Sequence, residues 1–199
     1  MAGRCRWFKA FVAPVVVAGV IVTWTGPAFG QAAATRFASL EAFRGQASVV
    51  RLGAELELVR GLALERNDIV VTRNGTVVVR FYSDASQLRI GADSQVQINE
   101  SAGERDIEVF AGRLWARIVS WKESPVRFKT GRTIAAVRGT EVAIAYDDET
   151  SVVSVLEGEV YSENDDGSQT VGPGQSVVAS PGRAPVLRVV ARPQDAVQW

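Results

Sequence analysis

From about Ser48 onward the chain alternates between apolar and polar residues with a period of two. Glu55-Leu56-Glu57-Leu58, Gln87-Leu88-Arg89-Ile90, Gln95-Val96-Gln97-Ile98 and Asp106-Ile107-Glu108-Val109 each carry one apolar face. Arg113 to Ile118 and Val126 to Lys129 do the same. That is the signature of strands with one side buried. Runs rich in β-branched residues at Ile69–Thr72, Thr76–Tyr82, Thr133–Val137, Glu141–Tyr146 and Ser151–Leu156 predict further strands. Turn formers separate them, and Asn74-Gly75 suits a tight hairpin because both residues tolerate positive φ. Strands recurring every ~8–12 residues predict an all-β domain of many short strands. It is either an extended β-solenoid-like or a sandwich-like domain, since no residue recurs in fixed register to choose between them. No window between 45 and 190 carries a helical period, and residues 36–44 read as a short helix or a loose lead-in.

The front of the chain follows a different rule. Arg4, Arg6 and Lys9 precede an apolar run from Ala10 to Trp24, and Thr25-Gly26-Pro27 then breaks it. Small residues follow, so the layout is that of a secretory signal helix with cleavage expected between Gly30 and Gln31. The run is shorter than the ~20 residues a membrane-spanning helix needs, so contact with the membrane is expected only through this segment, if it stays uncleaved. The expected organisation is a signal segment over 1–30, a lead-in over 31–46, the β domain over 47–180, and a tail or the start of a further region over 181–199.

Composition narrows the chemistry. Lysine plus arginine equals aspartate plus glutamate at 22 each, so no basic excess points to nucleic acid. Losing residues 1–30 would leave 19 basic against 22 acidic side chains, an export form that is mildly acidic. There is no histidine, which removes the commonest neutral-pH base and metal ligand. The single cysteine, Cys5, lies inside the signal segment, so disulfides, thiol catalysis and thiolate zinc sites are not expected in the β domain. No nucleophile elbow, phosphate loop or dinucleotide fingerprint is present, and no catalytic residue, metal ligand or cofactor is assigned. The acidic turns at Asp147-Asp148-Glu149 and Glu163 to Gly167 lack the alternation of a calcium loop.

Two groups of residues remain as binding candidates. Arg138-Gly139-Thr140-Glu141 places a charge on each side of a Gly-Thr corner between two apolar strands. It either presents Arg138 to a partner's carboxylate, or uses Arg138 to pair with Glu141, Asp84 or Glu157 at a strand end. Trp115, Trp121 and Tyr82 could instead form a platform for glycan or cell-wall polymer.

The order of segments resembles the FecR-domain family. Gly61-Leu62-Ala63-Leu64, Asn67 to Thr72, Asn74-Gly75, Val77 to Phe81, Asp84 to Leu88 and Ser94-Gln95-Val96 resemble its first half. Gly112-Arg113-Leu114-Trp115, Ala136 to Glu141, Val155 to Val160 and Gly174-Gln175 resemble its second half. The resemblance spans roughly 47–180. It departs at three turns, with Asn67-Asp68 for the family's Gly-Asp, Asp84-Ala85-Ser86 for Asp-Gly-Ser, and Thr130-Gly131 for Thr-Pro. The resemblance implies a periplasmic or otherwise extracytoplasmic, non-enzymatic module that senses or binds envelope proteins, with glycans as the alternative partner. The family's best-known members precede their membrane span with a cytoplasmic anti-sigma domain. Only nine residues precede the apolar run here, so that output is not expected of this chain. Arg192 to Trp199 resembles the junction at which larger exported FecR-domain proteins pass into tetratricopeptide repeats, which suggests the head of a longer scaffold.

Overall fold

The computed structural model of the protein describes residues 36–101, 103–119 and 125–189. The signal helix, the Gly30–Gln31 cleavage site and Trp121 lie outside the described residues. The described residues are 64% strand with no helix among them, as the alternating pattern predicts.

Strands β1 (Ala38–Arg44), β2 (Ala47–Arg51), β3 (Ala54–Glu57) and β4 (Ala63–Leu64) come first. Then follow β5 (Asp68–Thr72), β6 (Thr76–Phe81), β7 (Gln87–Ile90), β8 (Ser94–Ser101) and the long β9 (Glu104–Arg117). The second half holds β10 (Val126–Lys129), β11 (Ile134–Val137), β12 (Glu141–Tyr146) and β13 (Ser151–Glu157). It ends with β14 (Val160–Asn164), β15 (Gly167–Val171), β16 (Gln175–Ala179) and β17 (Val186–Val189).

Pairing sorts these strands into two sheets. The first runs β4-β1-β6-β7-β9-β12-β13-β16-β17. The second runs β3-β2-β5-β8-β9-β10-β11-β14-β15. All pairings are antiparallel except β9 with β10. Alternate residues of both sheets point inward to one apolar core, including Val49, Val70, Ile98, Ile107 and Phe128 from the second sheet and Val79, Leu88, Leu114, Ile144 and Val153 from the first. Each such side chain contributes about 1.5–3 kcal/mol by leaving water. The chain lays a hairpin on one sheet, crosses, and lays the next on the other: β10–β11, β12–β13, β14–β15 and β16–β17 alternate sides. The two architectures left open by the sequence thus coincide, because this is a sandwich wound like a solenoid of hairpins.

Strand β9 belongs to both sheets. Its first half pairs with β8 and β10, its second with β7 and β12. The change of sheet occurs at Gly112, whose φ of 90° lies in the left-handed region. A Cβ there would sit 2.2 Å from Ser94 Oγ, so only glycine lets the strand turn against β8.

One reading is corrected. Residues 36–44 form no helix: Ala38–Arg44 is β1, paired with β4 and β6. The sequence Ala-Ser-Leu-Glu-Ala-Phe-Arg favours helix locally, but inward Ala38 and Leu40 are fully buried beneath the second sheet, and packing overrides propensity. The altered turns also find their reasons. Asn67 takes φ 66°, a conformation asparagine tolerates in place of the family's glycine. In place of the family's proline, Gly131 leaves room for the Tyr146 hydroxyl, which a Cβ there would meet at 2.0 Å.

Candidate functional site

The four candidate residues form the corner between β11 and β12. Gly139 supplies a φ of 62° that reverses the chain within two residues. The Thr140 carbonyl accepts the Ile118 N–H at 2.9 Å, tying the corner to the end of β9. Thr140 is 2% exposed, and its methyl group lies where a Cβ on Gly158 would come within 2.5 Å. The Gly158 of the next turn is therefore required by close packing on Thr140. The Thr140 hydroxyl is buried with no hydrogen-bond partner among the described residues.

The two charges of the corner part ways. Glu141 pairs across the sheet with Arg117, which donates to it at 2.8 Å, and it accepts the Trp115 indole N–H at 3.0 Å. The bond to Glu141 holds the Arg117 guanidinium above its ordinary pKa. Arg138 makes neither a hydrogen bond nor an ion pair with any described residue, and it is exposed. Of the expected partners for Arg138, none is engaged: Asp84 serves Arg105 and Glu141 serves Arg117.

Of the aromatic candidates, the described Trp115 and Tyr82 stand in different register rows. Trp115 is covered by guanidinium groups, with Arg89 5.7 Å and Arg117 5.6 Å from its ring centroid. Such stacking is worth about 0.5–1 kcal/mol at a partly exposed site. Tyr82, 57% exposed, stands after the end of β6, outside the register row of Trp115.

Sequence reasoning missed Arg105. It is fully buried, bonds Asp84 at 3.1 Å, Glu100 at 2.7 Å and Ser83 at 2.9 Å, and lies 3.6 Å over the Phe81 ring. Asp84 also accepts the amide and hydroxyl of Ser86, whose oxygen accepts the Val119 N–H, so the altered Asp-Ala-Ser turn keeps its hydrogen bonds. A second such clamp joins Arg51 to the fully buried Asp68 at 2.6 Å and to Glu65 at 2.9 Å. The signal for Arg105 was available: it shares the inward parity of Ile107 and Val109, where a charge must find partners. Among the described residues no group of three or more histidine, cysteine or acidic side chains could hold a metal.

Comparison with known proteins gives a family for the central part. Residues 67–161 match the family model described as FecR protein. No curated protein matches the chain. A structure from Parabacteroides distasonis ATCC 8503, described as that of a proposed anti-sigma factor, superposes with a TM-score of 0.54 at 16% identity, over 60% of this chain and 58% of that one. A second structure with the same description and source gives a TM-score of 0.42 at 18% identity, over 63% of this chain and 56% of that one. The chain thus spans less than two thirds of either neighbour, and the first likeness speaks to the fold alone. Over residues 67–161, from the turn that Asn67 opens to the start of β14, this chain carries a FecR domain.

Proposed function

We propose that the chain is an extracytoplasmic, non-enzymatic FecR-type module that binds a protein of the cell envelope and serves in sensing or signalling, with the Arg138 corner as a contact. The family match supports the sensing role. The observation that carries the contact is the state of Arg138: an exposed guanidinium without a described partner, on a corner fixed by Gly139, Thr140 and Gly158. A rigid mount matters, because a presented arginine then loses little freedom when it forks onto a carboxylate. The neighbouring arginines at this end, Arg105 and Arg117, are already paired.

The test is capture of envelope proteins from periplasmic extract by the full chain and by its Arg138→Ala variant. We expect one or more partners to be lost or weakened at least about tenfold, a cost of about 1.4 kcal/mol, with an unchanged melting temperature. Equal capture by both chains would remove the corner from the contact.

A further inference from the structure

Each sheet ends on a strand whose outer edge is open. Among the described residues β17 closes the first sheet and pairs with β16 alone, and β3 closes the second sheet and pairs with β2 alone. The two strands lie at opposite ends of the molecule, because β3 precedes β9 and β17 follows it. Leu187 stands opposite the core residue Val177 and so faces inward, yet it is 38% exposed. Val189, of the same parity, is 84% exposed, and outward Val186 is 55% exposed. Inward residues this open mark an end of the core that the described residues leave uncapped, as the last unit of a stacked array is. β3 offers a matching edge. Its Leu56 stands opposite Val49, faces inward and packs against the core, with exposed Leu52 and Val59 on either side of the strand.

The charges on the two edge strands are opposite. Glu55 and Glu57 point outward from β3, opposite Val50 and Ser48, and Arg188 points outward from β17, opposite Ser176. All three are exposed, and none makes an ion pair with a described residue. Other charges lie off the strands. Arg73 lines the same hollow as Glu55 without pairing with it. Asp165 and Asp166 lie in the β14–β15 turn, which Asn164 ties to the Arg183 carbonyl ahead of β17, and Glu157 stands two strands further in. Setting Leu187 against Leu56 puts the inward residues of both strands on one face. Arg188 then falls opposite Glu55 in an antiparallel pair and opposite Glu57 in a parallel one. β3 against its own copy would instead set Glu55 opposite Glu57, and β17 against its own copy would give Arg188 only Val186. We infer that β17 of one copy of this chain adds to β3 of the next, so that the first sheet of one copy continues into the second sheet of its neighbour. The contact is heterologous: each copy offers one edge and receives on the other, which builds rows or closed rings. Four-residue strands bury little surface, so the association is weak and depends on concentration. It uses neither Arg138 nor the corner that carries it.

Sedimentation velocity on the full chain, from about 1 μM to about 500 μM, tests this. Species larger than the monomer should grow with concentration. Arg188→Glu, and separately Glu55→Arg combined with Glu57→Arg, set like charges against each other. Each should weaken association at least about tenfold while the melting temperature stays put. Mixing the two variant chains should restore it, because every edge of one then meets an opposite charge on the other. A monomer throughout the range, association indifferent to either reversal, or a mixture no more associated than its parts would overturn the inference. A monomeric chain whose captured envelope protein is lost on Arg188→Glu would give the edge to a different partner and overturn it too. If self-association fails while Arg138→Ala still loses its envelope partner, the edge contact falls and the proposed function stands.

Discussion

The two ends of the sandwich are closed by different chemistry. At the Asp68 end of β5, buried charges bridge the sheets: Arg51 reaches Asp68 and the Ala63 carbonyl, and Arg105 reaches Asp84 and Glu100. At the Thr72 end, neutral hydroxyls do the same work. Thr72 donates to the Gly91 carbonyl and accepts the Ser94 amide at 3.0 Å, and Ser94 accepts the Arg113 amide at 3.0 Å. Thr130 meets Ser151 at 2.6 Å and Thr133 meets Ser162 at 2.8 Å. Both arrangements satisfy groups that the ends of a sandwich would otherwise leave buried and unpaired. They differ in what a single change costs. A hydroxyl link that loses a member leaves a neutral group unpaired, whereas a charge clamp that loses its cation leaves ionised carboxylates in an apolar setting.

The largest expected effect follows directly. Arg105→Met keeps much of the side-chain bulk but strands Asp84 and Glu100, which are 10% and 11% exposed. We expect a loss of about 3–5 kcal/mol, read as the shift in a urea unfolding midpoint at neutral pH. A loss no larger than that of the hydroxyl variant below would erase the distinction between the ends. Thr72→Val should cost about 1–3 kcal/mol by the same measurement, because the Gly91 carbonyl and Ser94 amide lose a partner.

The smallest effect belongs to charges that water still reaches. On the outer face of the second sheet, Asp106 accepts from Arg127 and Lys129, each at 2.7 Å. Burial pushes the Asp106 carboxyl up, but the bonds and charges of Arg127 and Lys129 outweigh it and hold the group below its usual value. Its folded pKa being depressed, its contribution is complete above the unfolded value near 3.8 and is lost as the pH falls through the folded value. Arg127 and Lys129 are about a third exposed, so Asp106→Asn should cost under about 1 kcal/mol at neutral pH. Melting curves of parent and variant should converge between about pH 5 and about pH 3. A gap that widens on acidification would contradict the assignment.

Much of this was legible beforehand, and the parts that were not share a cause. Period-two segments such as Gln95–Ile98, Asp106–Val109 and Val126–Lys129 are all strands with the apolar parity inward, because one buried face imposes that pattern. β1 was illegible because its strand character comes from β4 and β6, elements 19 or more residues away. The corner at Arg138–Glu141 was visible as a turn, but the partner of Glu141 was not. Adjacency suggested Arg138, and register supplied Arg117 from 24 residues upstream. Pairings of this kind depend on which strand lies beside which, and alternation along a single strand carries no trace of that.

The passage of β9 through both sheets orders the whole chain along one line. In each sheet the strands that precede β9 in sequence lie on one side of it, and those that follow lie on the other. Each hairpin therefore rests chiefly on those made just before it, as neighbours do in a stacked repeat. A chain that emerges from the ribosome or a translocation channel with its N-terminus first can build such a stack in order of arrival. The earlier strands can pair before the later ones appear, β9 then offers both sheets a finished edge, and the remaining hairpins add to it alternately.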